Sequence, residues 1–192
     1  MATAREVTFI SEEDYLEGEK ITELKHEYVD GHIYAMASAH SNHNSLALNI
    51  SSEFKNHLKG KPCRAYMSDM KVRLNNGSKY YYPDVLVNCP PVNGYFTETP
   101  RLIVEVLSNS TRRIDETEKR MAYMQIETLE EYVLIAQDFV QIEVIRKSDD
   151  WKAVKYFLGD EVTFTSIGIT LSVEAIYDGV ENEDMLQWLK QK

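Results

Sequence analysis

Glu105 lies inside Leu102-Ile103-Val104-Glu105-Val106-Leu107, the most hydrophobic run of the chain. An ionised carboxylate in such a strand carries a large desolvation cost, so something must compensate its charge. A divalent cation does this efficiently. Asp84 follows Pro83 and opens the strand-like run Val85-Leu86-Val87, so it can bring a second carboxylate to the same point. Two acids on adjacent strands form an oxygen-ligand site suited to Mg2+ or Mn2+.

Each of these residues also has a plainer reading. Pro-Asp is a common turn pair, and Glu105 can be an edge or bulge residue that faces water. Asp115 and Lys119 stand four apart on one helical face with Arg112, as in an ordinary surface ion pair. His40 and His43 lie near a helix start with no third His or Cys close by, which fits solvated or hydrogen-bonded imidazoles. Tyr80-Tyr81-Tyr82 can stack on bases or simply pack a strand. The pairs Arg112-Arg113 and Lys119-Arg120 make Arg112, Arg113 and Arg120 the candidates for phosphate contact, against ordinary helix solvation.

The elements that must hold these residues read as mixed α and β. Ser11-Glu12-Glu13-Asp14 is an N-cap with an acidic first turn and predicts a short helix over 11–18. Asp30-Gly31 between His26–Val29 and His32–Met36 predicts a hairpin. Apolar spacing predicts a long helix over 41–59, closed by Gly60 and Pro62. Strands follow at 63–67 and 70–74, ending at the turn Asn75-Asn76-Gly77. Pro83 interrupts the next apolar run, so its strand proper starts near Asp84, at an edge. The proline-rich stretch 88–100 reads as a loop, and 102–107 as a central strand covered on both faces. Ser108–Thr111 cap a helix to about residue 126. Strands at 132–136, 140–145, 151–157 and 162–164, an apolar run at 167–171 and a terminal helix over 183–192 complete the chain.

The whole-chain properties set outer bounds. At 192 residues, with 43% hydrophobic residues, eight glycines and five prolines, the composition is that of one globular domain spanning 1–192. The net charge of −10 opposes nonspecific attraction to nucleic acid or anionic lipid, leaving only a local basic face for such partners. Cys63 and Cys89 give neither a multi-disulfide framework nor a zinc-binding spacing, which suits a reducing cytoplasm. The N-terminal MATAREVTFISEEDY lacks an apolar leader core, and no run approaches the ~18 apolar residues of a membrane span.

Pro83-Asp84 followed by IVEVLSNSTRRIDETEKRMAY resembles the Uma-two endonuclease family, of the restriction-endonuclease-like PD-(D/E)xK superfamily. The segment EYVDGHIYAMASAHSNHN and the strand SDMKVRL before Pro-Asp extend the likeness over roughly the first three quarters of the chain. Leu107 occupies the usual lysine position, two residues beyond the second acid. The family's migrated T-R-x-x-D-x-x-x-K pattern is matched by Thr111, Arg112, Asp115 and Lys119. Asn109 stands where proline is common, and LEEYVLIAQD lacks the usual Trp and Asp.

The resemblance implies a three-layer α/β fold with a mixed central sheet flanked by helices, and metal-dependent hydrolysis of phosphodiester bonds in DNA. Asp84, Glu105 and the Val106 carbonyl would hold Mg2+ or Mn2+. Lys119 would orient water or meet phosphate charge, and Glu27 would be an accessory acid. A homodimer is the superfamily's common way of cutting two strands. Two other readings stand beside it: a catalytically silent nucleic-acid or protein-binding module of the same fold, and a metal-dependent hydrolase of a small phosphorylated substrate.

Overall fold

A computed structural model describes residues 9–191. Residues 1–8, which begin the N-terminal stretch read above, and Lys192, at the end of the predicted terminal helix, lie outside the described residues. The chain starts with α1 (Glu12–Gly18), whose first turn is capped by the Ser11 hydroxyl accepting the Asp14 N–H. The hairpin β1 (His26–Val29) and β2 (His32–Ala35) turns at Asp30 and Gly31. These have φ of 49° and 87°, the left-handed pair that a two-residue hairpin loop requires. Next come α2 (Ser41–His57), β3 (Arg64–Met67), β4 (Lys71–Leu74), β5 (Lys79–Tyr81), β6 (Val85–Asn88), β7 (Phe96–Thr97) and β8 (Pro100–Leu107). A helical stretch follows, built from α3 (Arg112–Ile114), a π-helical turn (Asp115–Lys119) and α4 (Arg120–Tyr123). The remainder is β9 (Glu131–Ala136), β10 (Ile142–Arg146), β11 (Ala153–Tyr156), β12 (Glu161–Phe164), β13 (Ile169–Ser172), α5 (Val173–Ile176) and α6 (Glu183–Lys190).

The larger sheet has six strands in the order β11-β10-β9-β8-β6-β3. It is mixed: β8 and β9 run parallel, joined across the 112–123 helical stretch, and the other pairs are antiparallel. A second sheet, β2-β1-β5-β4-β7, has five strands, and β12 and β13 form a separate hairpin.

Alternation along β8 builds two cores. Leu102, Val104 and Val106 join Leu46, Ile50 and Phe54 of α2 and Phe164, Val173 and Ile176 of the C-terminal region. Ile103 and Leu107 face the opposite way, onto Ala122 and Tyr123 of α4 and Val72, Leu74 and Tyr81 of the smaller sheet. The six-stranded sheet is therefore a middle layer covered on both faces, the three-layer α/β arrangement expected from the sequence. By the same period-two alternation, Glu105 falls on the face of Ile103 and Leu107.

Five details differ from the sequence reading. Within the stretch 88–100, read as a loop, Phe96 and Thr97 form β7 and pair with β4. The tyrosine run is not the frayed entry to one strand. Tyr80 and Tyr81 form β5 in the smaller sheet, Tyr82-Pro83-Asp84 cross between sheets, and β6 begins at Val85. Proline breaks the ladder as anticipated, but the residues on either side of it pair with different sheets. The helix after β8 contains a π-turn, and its regular part ends at Tyr123 rather than near 126. The apolar run 167–171 pairs as β13 from Ile169, and a further short helix, α5, follows it. Lastly, Cys63 and Cys89 form a disulfide, a pairing absent from the reading that placed them in a reducing compartment. Their separation of 26 residues hides a simple cause: β3 and β6 pair with Arg64 opposite Asn88, so the next residues outward meet. No described helix is long and apolar enough to cross a membrane.

Candidate active site

Asp84 sits one residue before β6, where the chain leaves the smaller sheet, and Glu105 projects from β8, the neighbouring strand. The two meet through the backbone. Asp84 Oδ2 accepts the Val106 N–H at 2.7 Å, and the Asp84 N–H approaches Glu105 Oε2 at 3.4 Å. N–H and C=O of one strand residue face the same neighbour, so the Val106 carbonyl points toward the Asp84 side. Glu105 is 3% exposed, which excludes the water-facing edge or bulge reading. Tyr123 donates its hydroxyl to Glu105 Oε1 at 3.1 Å, fixing the carboxylate from α4.

Lys119, 6% exposed, points into the same cluster. Its Nζ lies 2.9 Å from Glu27 Oε1, 3.4 Å from Glu105 Oε1 and 3.2 Å from Asp115 Oδ1. The Asp115–Lys119 pair therefore forms, but buried on the inward face of its helix and not on a solvated one. Asp115 is thus held by the ammonium of its own helical turn. The π-helical turn spans Asp115–Lys119 and buries both of its end residues while Glu116, Thr117 and Glu118 stay exposed. Glu27 reaches the cluster from β1, beneath the Tyr82 N–H at 3.4 Å.

The electrostatics follow from four carboxylates meeting one ammonium. Burial holds the Glu105 carboxyl well above its usual range against the pull of Lys119, with Asp115, Asp84 and Glu27 adding to the rise. Burial likewise raises Asp115, against Lys119. Burial works to discharge Lys119, but Glu105, Glu27 and Asp115 outweigh it and hold the ammonium well above its ordinary value. The cluster is thus short of positive charge.

His43, set aside in the sequence, stands at this site. Carried in by the first turn of α2, its Nε2 lies 3.2 Å from Asp84 Oδ2, and the ring is 16% exposed. Burial opposes protonation of the ring, and the hydrogen bond and charge of Asp84 outweigh that and raise its pKa. Nothing local marks it, because its partner is 41 positions away and belongs to another layer. Tyr123 and Tyr132 were equally unmarked; Tyr132 donates to the Asp115 carbonyl at 2.9 Å and steadies the π-turn.

The basic residues are less free than their spacing suggests. Arg112 pairs with Glu116 at 3.4 Å and lies over the Phe139 ring. Arg120 pairs with Glu143 at 3.6 Å and donates to the Trp151 carbonyl at 3.3 Å. Arg113 is exposed.

The donor set suits a hard divalent cation. Among the described residues no three His, Cys, Asp or Glu side chains form a ready-made cage. Magnesium sites of this kind need only one or two carboxylates, with water and substrate phosphate completing the shell. Asp84, Glu105 and the Val106 carbonyl supply such oxygens, and the cluster's excess negative charge is what a cation would relieve.

A mixed sheet covered on both faces is the architecture of the restriction-endonuclease-like class. The chain belongs to the Uma2 family, described as "Putative restriction endonuclease", whose model matches residues 12–174. It is 38% identical over 176 residues to one uncharacterized protein of Synechocystis sp., covering 89% of this chain and 93% of that one. A second uncharacterized protein of the same organism is 33% identical over 144 residues, covering 71% and 80%. The fold matches the crystal structure of a "putative nuclease belonging to DUF820" from Anabaena variabilis, with a TM-score of 0.74. That match covers 90% of this chain and 99% of the other at 18% identity.

Proposed function

We propose that this protein is a metal-dependent endonuclease that hydrolyses phosphodiester bonds in DNA. The observation that carries the reading is the convergence of Asp84, Glu105 and Lys119 from β6, β8 and the following helix. Asp84, Glu105 and the Val106 carbonyl would hold Mg2+ or Mn2+. The chemistry such an ion supplies is Lewis-acid activation of water and neutralisation of phosphate charge. The chain's own groups set the geometry around it. Tyr123 holds one oxygen of Glu105 and leaves the other turned toward Asp84. Lys119, kept cationic by its carboxylates, is a compact charge for the oxygens of a pentavalent phosphate. Glu27 aims that ammonium and is a candidate to position water. No side chain need form a covalent intermediate with the substrate. Double-strand cleavage would call on a second copy of the chain, each supplying one site.

The internal pairing of Arg112 and Arg120, with a net charge of −10, favours one competing reading: the same metal site acting on a small phosphorylated substrate. Cleavage of supercoiled plasmid by wild type and Asp84→Ala at low salt, with Mg2+, Mn2+ or chelator, separates the two. Wild type with metal should cut, and Asp84→Ala should lose at least about a hundredfold in rate while keeping its melting temperature. Manganese binding to wild type without cutting would reject DNA as substrate and favour the smaller one.

A further inference from the structure

The Asp84 carboxylate has one more neighbour than two acids and a carbonyl require. His43 Nε2 lies 3.2 Å from Asp84 Oδ2, the oxygen that also accepts the Val106 N–H, and the ring reaches the backbone of Val106 as well. The imidazole therefore borders two of the three groups that would hold a divalent ion. Its other nitrogen, Nδ1, is buried and has no hydrogen-bond partner, so nothing behind the ring fixes it. Its placement comes from α2 and from the site. His26 and His57, by contrast, are bonded to Glu19 and to the Ile167 carbonyl, away from the acids.

We infer that His43 becomes a nitrogen ligand of the ion held by Asp84 and Glu105, the three side chains closing to a shared ligand distance that they do not have in this arrangement, and that it biases the site toward manganese-class ions over magnesium. The inference deepens the proposed metal-dependent reading and rests on it. Magnesium is hard and prefers oxygen and water, whereas imidazole suits first-row transition ions, so one nitrogen in an otherwise oxygen shell raises affinity for the second group selectively. If His43 only steadied Asp84, its loss would weaken both ions alike.

The test uses the full chain, freed of metal by chelation. Calorimetry with Mn2+ and with Mg2+ is run on wild type and His43→Gln, and the Mn2+-loaded wild type is examined by pulsed electron paramagnetic resonance for nitrogen coupling. Glutamine keeps a polar group beside Asp84 but removes the imidazole. We expect His43→Gln to weaken Mn2+ binding by about tenfold or more and Mg2+ binding by less than about threefold. The wild-type spectrum should show a directly bound nitrogen, and the variant's should not. Equal losses for the two ions, or bound Mn2+ without nitrogen coupling in wild type, would overturn the inference while leaving the metal site intact. A wild type that binds neither ion would overturn the metal-dependent reading along with it. Should the variant fail to fold, the wild-type nitrogen signal alone decides.

Discussion

Glu105 combines a buried position with a crowded set of charges. Its carboxyl is raised chiefly by burial, and an acid raised in the folded state has a definite sign of effect. Below its ordinary value of 4.5 both folded and unfolded chains carry the proton and nothing is lost. As pH climbs past that value, the unfolded chain ionises freely and the folded one is penalised, so stability falls. Glu105→Gln removes the penalty, and Lys119 keeps Glu27 at 2.9 Å and Asp115 at 3.2 Å as counter-charges. In chelator at pH 8 the variant should therefore unfold at a higher urea concentration than wild type, the gap closing toward pH 4.5. Urea unfolding at both pH values measures it; a variant less stable at pH 8 would refute the account. Glu105 was legible in the sequence because a charge inside an unbroken apolar strand contradicts its surroundings. His43 was not, because a histidine in a helical first turn looks the same whether it faces water or a carboxylate of another layer.

At the level of elements, the π-helical turn aims the lysine. The turn carries Asp115 and Lys119 at its two ends, four apart and so on one face, and both point inward while the three residues between them stay outside. Lys119→Met keeps the length of the side chain and strands the carboxylates of Glu27, Glu105 and Asp115 without their ammonium. Metal-dependent cleavage should disappear and stability drop by about 3 kcal/mol, the cost of a stranded buried charge, with the circular dichroism spectrum almost unchanged. A Lys119→Met variant as active as wild type would remove the lysine from the proposed site. The caps, the Asp-Gly hairpin and the apolar strand β8 could be read directly, since each is set by local chemistry or period. The π-turn could not: the Tyr132 hydroxyl that binds its first carbonyl comes from β9. Nor could the change of sheet at Pro83, where local sequence reports a broken ladder but not which strands lie on either side.

At the scale of the whole molecule, the disulfide ties β3, an edge strand, to β6, the strand that follows Asp84. Closing a loop of 26 residues restricts the unfolded chain and contributes about 3–4 kcal/mol in the loop-entropy model. A reducing agent, or Cys63→Ser, should lower the urea midpoint accordingly, and unfolding that is indifferent to reductant would show that the bond contributes nothing. The register of β3 on β6 brings the cysteines together, so only knowledge of strand pairing would have revealed them. Lys119 joins Glu27 of the smaller sheet to Glu105 of the larger. A nascent or partly unfolded chain whose smaller sheet has not docked lacks Glu27 as a partner for the ammonium, so the full cluster is not assembled. On the proposed reading, hydrolytic capacity and native packing then arrive together, an interlock that keeps an immature chain harmless to the genome of the cell that makes it.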